Sequence, residues 1–327
     1  MRFALRRLGF FAVTLWACLT LNFLLPRFMP GSPAIAMMAK YHGRVSGRAL
    51  QALENAFGVD THASLIVQYF RYLGDMATGN FGISLTVTGV PVSQVITSAI
   101  PWTLGLVGIT TVLAFVLGTL IGIVGAWRRG GWLDGVLPPV FVITSSIPFF
   151  WIAMMLILLF ANQLNWFPPA GAYANTLTPA LSWPFISSVV HYALLPAVAI
   201  LITSIGGWIL TMRNTMVTVL AEDYVRMARA KGLAGRRIML DYAARNAMLP
   251  NLSGFAMSLG FVVSGAILVE YVFSYPGVGF MLLQAVQNED YALMQALFLL
   301  ITVAVLVAIL IADIATALFD PRTRAAA

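Results

Sequence analysis

Charged residues are scarce in this sequence. Only 9% of its 327 residues are charged, whereas 60% are hydrophobic and the mean hydropathy is +0.88. In soluble domains, about a quarter of all residues are charged. Water is therefore excluded as the main solvent of this chain. Apolar stretches close to the roughly 20 residues that cross a bilayer recur along its length. The composition therefore predicts one bundle of membrane helices rather than soluble domains.

The sequence also lacks the patterns of common catalytic and metal sites. Cys18 is the only cysteine and lies in the first apolar run, which excludes a disulfide and a cysteine metal framework. His42, His62 and His191 have no His-x-x-x-His spacing. There is no Gly-x-x-x-x-Gly-Lys-Ser/Thr phosphate loop and no His-Glu-x-x-His motif. We therefore expect no catalytic residue, no metal and no cofactor in this chain.

Six apolar segments are long enough to be membrane helices. They cover residues 8–28, 101–127, 137–164, 192–212, 252–273 and 294–318. Pro148 and Pro196 lie inside two of them and predict kinks. Arginines followed by an apolar run are also how a secretory signal begins. The length of the first run, and the absence of a small-x-small cleavage site after it, favour an uncleaved first helix.

The positions of the basic residues predict the orientation of the spans. If the N-terminus is cytoplasmic, most of the 19 Lys and Arg residues fall in cytoplasmic segments, among them Arg128 and Arg129, which are explained by topology alone. The net charge of +7 then reflects topology and not a nucleic-acid partner. The prediction is a multi-pass protein of the cytoplasmic (inner) membrane with both termini in the cytoplasm.

These spans divide the chain into four parts. They are a cytoplasmic tip with the first helix (1–28), an extracytoplasmic loop region (29–100), a transmembrane core (101–318) and a cytoplasmic tail (319–327). In the loop region, the periodicity of residues 48–57 and 64–73 predicts short amphipathic helices that lie on the bilayer or meet a partner. A turn-rich stretch follows at 79–84, and the Pro- and Gly-rich residues 165–188 predict an irregular second outer loop.

A cytoplasmic segment of the core, residues 213–251, is too long and too regular to be a simple connector. Glu222 and Asp223 open a predicted helix and Gly232 closes it, as helix-end electrostatics and the C-terminal preference for glycine favour. Such a helix would present charge and a flexible break to a cytosolic partner.

This segment resembles the ATPase-docking loop of the peptide and nickel class of ABC importer permeases. The resemblance is carried by Asp223-Tyr224-Val225-Arg226-Met227-Ala228-Arg229-Ala230-Lys231-Gly232-Leu233, followed by Arg245-Asn246 and Leu249-Pro250. Further motifs, such as Phe57-Gly58-Val59-Asp60, Ser146-Ile147-Pro148 and Phe273-Ser274-Tyr275-Pro276-Gly277, follow the order found in dipeptide and oligopeptide permease B subunits. Two positions depart from the family pattern, since Ser32 replaces its usual Asp and Tyr242 its usual His.

The resemblance implies an all-α polytopic membrane protein with six transmembrane helices and the type I ABC importer permease fold. It implies alternating access driven by two ATPase domains or subunits that hold ATP and Mg, a homologous second permease and an extracytoplasmic substrate-binding protein. The implied substrates are dipeptides or oligopeptides, with nickel complexes or oligosaccharides as alternatives and an ion-gradient-driven secondary transporter as the rival. The residues it assigns to ATPase docking are Glu222, Asp223, Tyr224, Arg226, Ala228, Arg229, Lys231, Gly232 and Arg236.

Four polar residues in the predicted spans are candidates for the translocation path. An intramembrane carboxylate costs roughly 2.5–3.5 kcal/mol on insertion scales, so Glu270 and Asp313 are functional candidates, with structural pairing as the alternative. Ser145 and Ser146 either line the path or pack helices together.

Overall fold

The computed structural model describes residues 2–28, 63–264 and 266–319, without some of the side chains in these ranges. The described residues are almost entirely helical, and their one β-type pairing is an isolated bridge between Ile83 and Pro91. The predicted all-α class is therefore confirmed. The amphipathic helix predicted at 48–57 lies outside the described residues.

The helices are numbered here in chain order. They are α1 (Arg2–Phe28), α2 (Leu65–Thr78), α3 (Val92–Thr103), α4 (Ile109–Trp127), α5 (Trp132–Ser146), α6 (Phe149–Leu156), α7 (Trp183–Leu220), α8 (Asp223–Ala230), α9 (Gly235–Arg237), α10 (Arg245–Val262), α11 (Ile267–Val272), α12 (Val278–Gln287) and α13 (Tyr291–Phe319). Three π-helical stretches continue these helices, at Leu104–Gly108 after α3, Ile157–Gln163 after α6 and Ile238–Ala244 after α9.

Four helical runs in the described part of the chain are long and apolar enough to cross a membrane. They are Arg7–Leu25, Val92–Trp127, Trp183–Leu220 and Tyr291–Ile311, which overlap the predicted first, second, fourth and sixth spans. The predicted third span instead consists of α5 and α6, and the fifth of α10 and α11. Pro148 explains the first break, because proline cannot donate a backbone hydrogen bond inside a helix. Pro196, by contrast, lies within the unbroken α7.

The chain divides into two compact units. The first comprises Met1–Thr103, Val263–Ile267 and Pro276–Val307. Its core is an apolar cluster of α3, α12 and α13 in which Val92, Val278 and Leu293 have no exposed surface. The burial of these faces holds the three helices together through the hydrophobic effect.

Helix α2 packs on the C-terminal end of α1 within this unit. The Phe23 ring lies 5.1 Å from that of Tyr69 and 5.5 Å from that of Tyr72. The Asn22 amide donates hydrogen bonds to the Tyr72 hydroxyl at 3.0 Å and to the Gln295 carbonyl at 2.8 Å. Burial raises the pKa of Tyr72 to about 12. The helix predicted at 64–73 is thus confirmed, with five more residues at its C-terminal end.

A buried carboxylate fixes the loop that precedes α3. One oxygen of Asp290 accepts hydrogen bonds from the Ser84 hydroxyl at 2.6 Å and from the backbone N–H groups of Leu85 and Thr86 at 2.8 and 2.9 Å. Its other oxygen accepts the Leu293 N–H at 3.1 Å and caps α13. These charge-assisted bonds offset the cost of burying Asp290 completely.

The second unit comprises Leu104–Val262, Leu268–Tyr275 and Ala308–Ala327. Its central contact is between α4 and α7, which approach closely at two glycine positions of α4. A Cβ atom added to Gly118 would lie 2.6 Å from the Trp208 Cβ, and one added to Gly122 would lie 2.8 Å from the Met212 Cβ. Such small-x-x-x-small spacing lets membrane helices pack backbone to backbone.

Candidate functional site

The cytoplasmic segment predicted from the sequence contains a short, well-defined helix, α8. Its N-cap residue Glu222 has an extended backbone, with φ −69° and ψ 147°, and its carbonyl accepts the Val225 and Arg226 N–H groups. Asp223 lies in the first turn and Arg229 in the last, so both charges oppose the helix dipole and stabilise the helix.

The helix ends where the sequence pattern predicted. Gly232 has φ +72°, a left-handed conformation that glycine adopts without steric cost. Its N–H donates to the Arg229 carbonyl at 2.9 Å, and the Lys231 N–H donates to the Met227 carbonyl at 3.0 Å. The chain therefore turns sharply after α8 and leads into α9.

One face of α8 is buried against the rest of the second unit. Val225 is 0% exposed and Ala228 is 3% exposed, and both pack with Ile238. Around this cluster lie partly buried side chains from the end of α4, the end of α7 and the segment after α8, namely Trp127, Val219, Leu220, Leu233 and Tyr242. The helix is therefore packed directly on the ends of two membrane-spanning helices.

The opposite face of α8 is polar and exposed. The predicted docking residues other than Ala228 all lie on the exposed surface, namely Glu222, Asp223, Tyr224, Arg226, Arg229, Lys231, Gly232 and Arg236. The sequence prediction grouped Ala228 with them, whereas the structure buries it, because it lies three residues after Val225 on the same helical face. Ala228 thus supports the helix and does not face outwards.

Two contacts fix the exposed side chains only weakly. Arg226 lies 3.6 Å from Asp223, and exposed ion pairs of this kind contribute about 0–1 kcal/mol. The Asn246 amide donates to the Tyr224 hydroxyl and to the Tyr242 carbonyl, both at 3.0 Å, and so connects α8 with α10. The charged groups of α8 therefore remain available to a partner.

A cleft of about 480 Å³ lies beside α8. Arg129 and Arg229 line it together with Trp127 and Gly235, and no described acidic residue does so. The sequence interpretation assigned Arg129 to topology alone. The tertiary structure instead brings it next to the predicted docking helix, and the sequence carries no signal of that proximity.

A second cleft, of about 450 Å³, lies between α4, α7 and α10. Four hydroxyl side chains line it together with Gly207, Trp208 and three apolar residues; the hydroxyl residues are Thr111, Ser204, Thr211 and Ser258. None of the described lining residues carries a charge. All four hydroxyl residues fall within predicted membrane spans, so this is an uncharged and mostly apolar surface that carries four hydroxyl groups.

Comparison with known proteins identifies the chain's family. Residues 118–325 match the family described as the binding-protein-dependent transport system inner membrane component. The chain belongs to this family. The match includes α7, α8 and α10, and so covers the predicted docking segment and most of the second cleft.

Relatives similar over nearly their whole length agree with this family. The dipeptide transport system permease protein DppB of Lactococcus lactis is 32% identical over 325 residues, which are 99% of each chain. The oligopeptide transport system permease protein AppB of Bacillus subtilis is 32% identical over 92% of each chain. The di/tripeptide transport system permease protein DppB of Pseudomonas aeruginosa is 34% identical over 98% of each. The family resemblance inferred from the motifs is thus confirmed, and the chain is a multi-pass membrane transport component.

Of the four residues predicted for the translocation path, the structure describes the side chains of Ser146 and Glu270. Ser146 is exposed at the end of α5 and lines neither cleft, and the side chains of Ser145 and Asp313 lie outside the described residues. Glu270 is completely buried in α11. Burial, and secondarily the nearby Glu270 carboxylate, raise the pKa of Tyr275 to about 12. Within the described ranges, no three His, Cys, Asp or Glu residues form a group that could hold a metal ion.

The residues that sequence reasoning missed are those of the second cleft and of the α4–α7 contact. The spacing of Gly118 and Gly122 in an apolar run is a recognisable signal of close helix packing. Isolated hydroxyl residues in apolar spans carry no such signal, because they occur equally at packing contacts.

Proposed function

We propose that this chain is the membrane-spanning permease subunit of an ATP-binding-cassette importer that carries dipeptides or oligopeptides into the cytoplasm. The observation that carries the proposal is the similarity, over nearly the whole chain, to permeases named for peptide transport. The exposed charged face of α8 supports it, since a permease that has no phosphate loop of its own needs a surface that can contact a separate ATPase.

We infer that the permease crosses the membrane six times, with both termini in the cytoplasm. In this topology, α5 with α6 and α10 with α11 form the third and fifth spans. Broken helices are tolerated inside membrane bundles because neighbouring helices satisfy the freed backbone groups. The excess of basic residues in the segments placed in the cytoplasm supports the orientation.

In the proposed mechanism, α8 transmits the movement of the ATPase to the membrane spans. Its exposed face, which includes Asp223, Arg226 and Lys231, contacts the ATPase. Its buried face packs Val225 and Ala228 against side chains at the ends of α4 and α7, so a displacement of α8 displaces those helices with it. Closure of two ATPase domains around ATP and Mg then switches the path between its outward- and inward-open states.

The proposed assembly contains four kinds of component. They are this permease, a homologous second permease, two ATPase domains or subunits and an extracytoplasmic substrate-binding protein. The family description, which names a binding-protein-dependent system, supports the last of these.

Site-directed crosslinking tests the docking role. Because Cys18 is the only cysteine, Cys18→Ser gives a cysteine-free background. A cysteine at Met227, which is 60% exposed on α8, is expected to crosslink to a co-purified ATPase subunit. A cysteine at Val225, which is 0% exposed on the same helix, is the matched control and is expected not to crosslink. Equal yields at the two positions, or no yield at any exposed position of α8, would contradict the docking role.

The whole proposal is tested by purification of the tagged chain from its native membrane in mild detergent. We expect a second permease and ATPase subunits among the bound proteins, and ATP-dependent peptide uptake after reconstitution. Uptake driven by an ion gradient without ATP would replace the proposal with a secondary transporter.

A further inference from the structure

We infer that the cleft between α4, α7 and α10 is this chain's part of the solute path and that it binds the N–H groups of a peptide main chain without selecting for charge. This inference rests on the proposed function and adds to it a site and a recognition chemistry. It is carried by the hydroxyl groups of the cleft, by the absence of charge from its described lining and by a glycine that leaves it open.

Three of the four hydroxyl groups of the cleft are arranged as hydrogen-bond acceptors. Thr111 donates its proton to the Val107 carbonyl at 2.7 Å, Ser204 to the Ile200 carbonyl at 2.7 Å and Ser258 to the Phe255 carbonyl at 2.8 Å. A hydroxyl has one proton and two lone pairs, so each group remains free to accept but not to donate.

Acceptors of this kind match the donors of a peptide. Main-chain amides and the N-terminal ammonium group donate hydrogen bonds, whatever side chains the peptide carries. A polar group that crosses the membrane without a partner costs several kcal/mol, so acceptors at membrane depth lower the barrier to passage.

The uncharged lining explains how peptides of different charge can share one path. No described residue of the cleft offers a fixed charge that would hold one class of side chain or repel another. The surface is therefore suited to a substrate class that is defined by its backbone.

The cleft has a rigid wall. The Trp208 ring meets the Phe115 ring edge to face at 5.3 Å, and Phe115 stacks on Phe255 at 4.2 Å. The close approach of Gly118 to the Trp208 Cβ fixes the base of this side chain. A cleft of about 450 Å³ falls within the range of about 300–1,000 Å³ that is typical of small-molecule sites.

Gly207 provides a way to narrow the cleft without disturbing the packing within this chain. It lines the cleft, and a Cβ added there would meet no atom within 4 Å. The adjacent Gly206 is different, because an added Cβ would lie 2.8 Å from the Phe141 ring. Gly105 is the matched control: it is an exposed glycine in a membrane span, it also has free space around an added Cβ, and it does not line the cleft.

The first experiment compares Gly207→Trp with Gly105→Trp in the complete transporter reconstituted in liposomes. ATP-driven uptake of a labelled tripeptide is expected to fall at least about tenfold in Gly207→Trp, because an indole fills much of a cleft of this size, and to stay near wild type in Gly105→Trp. Wild-type uptake in Gly207→Trp would overturn the inference. Loss of the second permease from purified Gly207→Trp would also overturn it, because Gly207 would then be a contact between subunits.

The second experiment tests the charge neutrality of the cleft. Gly207→Asp and Gly207→Lys are compared with Gly207→Asn by the ratio of basic to acidic tripeptide uptake. We expect the ratio to rise in the Asp variant and to fall in the Lys variant, whereas equal ratios in all three would overturn the inference. The substrate-binding protein is the same for all three variants, so its own preference for basic or acidic peptides does not affect the comparison. Absence of any ATP-driven peptide uptake by the wild type would instead refute the proposed function.

Discussion

The contact between α4 and α7 provides the sharpest test of the structure. A Cβ added by Gly122→Ala would lie 2.8 Å from the Ile209 carbonyl oxygen, 2.8 Å from the Met212 Cβ and 3.2 Å from the Arg213 nitrogen. These three atoms are backbone or Cβ atoms, so no change of rotamer can move them away. The two helices must therefore separate for the added methyl group to fit.

The size of the effect follows from these distances. Carbon atoms pack best at about 3.5–4.0 Å, so the Met212 Cβ has to retreat by about 1 Å. Overpacking in a well-packed core costs about 1–3 kcal/mol, and the rigid neighbours place Gly122→Ala at the upper end of that range. The higher helix propensity of alanine relative to glycine offsets about 1 kcal/mol of this cost. We therefore expect a net loss of about 2 kcal/mol in the free energy of unfolding.

Equilibrium unfolding of the purified chain in detergent, followed by circular dichroism, measures this loss. Gly105→Ala is the control, because a Cβ at that position meets no atom within 4 Å and keeps only the gain in helix propensity. If Gly122→Ala were as stable as Gly105→Ala, the close approach of α4 and α7 would be refuted.

Two further substitutions test the ends of the described elements. Gly232→Val is expected to cut ATP-driven uptake, because a β-branched residue is strained at φ +72°, whereas Gly232→Asn is expected to retain it. The test measures both peptide uptake and the amount of each variant that is inserted in the membrane. Equal loss of insertion in both variants would show a purely structural role. Asp290→Asn removes the charge from four hydrogen bonds and is expected to destabilise the first unit by about 2 kcal/mol or more. Thermal unfolding measures that change, and an unchanged midpoint would contradict the bonding described for Asp290.

The predicted ATPase-docking segment shows how local and tertiary information differ. The start of α8 at Asp223 and its end before Gly232 could be predicted, because helix dipoles, caps and left-handed glycines act over a few residues. The direction in which the helix faces could not. Ala228 belongs to the same motif as its exposed neighbours, and only its packing against Ile238 shows that it points inwards.

The membrane spans show the same limit. Hydrophobicity is a local property, so the four long apolar helices of the described residues could be predicted from the sequence. A proline in an apolar segment, however, has two possible outcomes. Pro148 separates α5 from α6, whereas Pro196 remains inside a continuous α7. Neighbouring helices determine which outcome is stable, because they satisfy the backbone groups that proline frees.

The sequence by itself determined that this chain is a helical membrane protein, that it belongs to a family of transport permeases and that it has a short charged helix between two spans. Composition, periodicity and motif order suffice for these conclusions because each depends on local or linear information. Only the tertiary structure decided that Thr111, Ser204 and Ser258 line one cleft and that Asp290 holds Ser84 across 206 positions of the chain. Such groupings depend on which helix faces meet, and that is set by packing among residues far apart in the sequence.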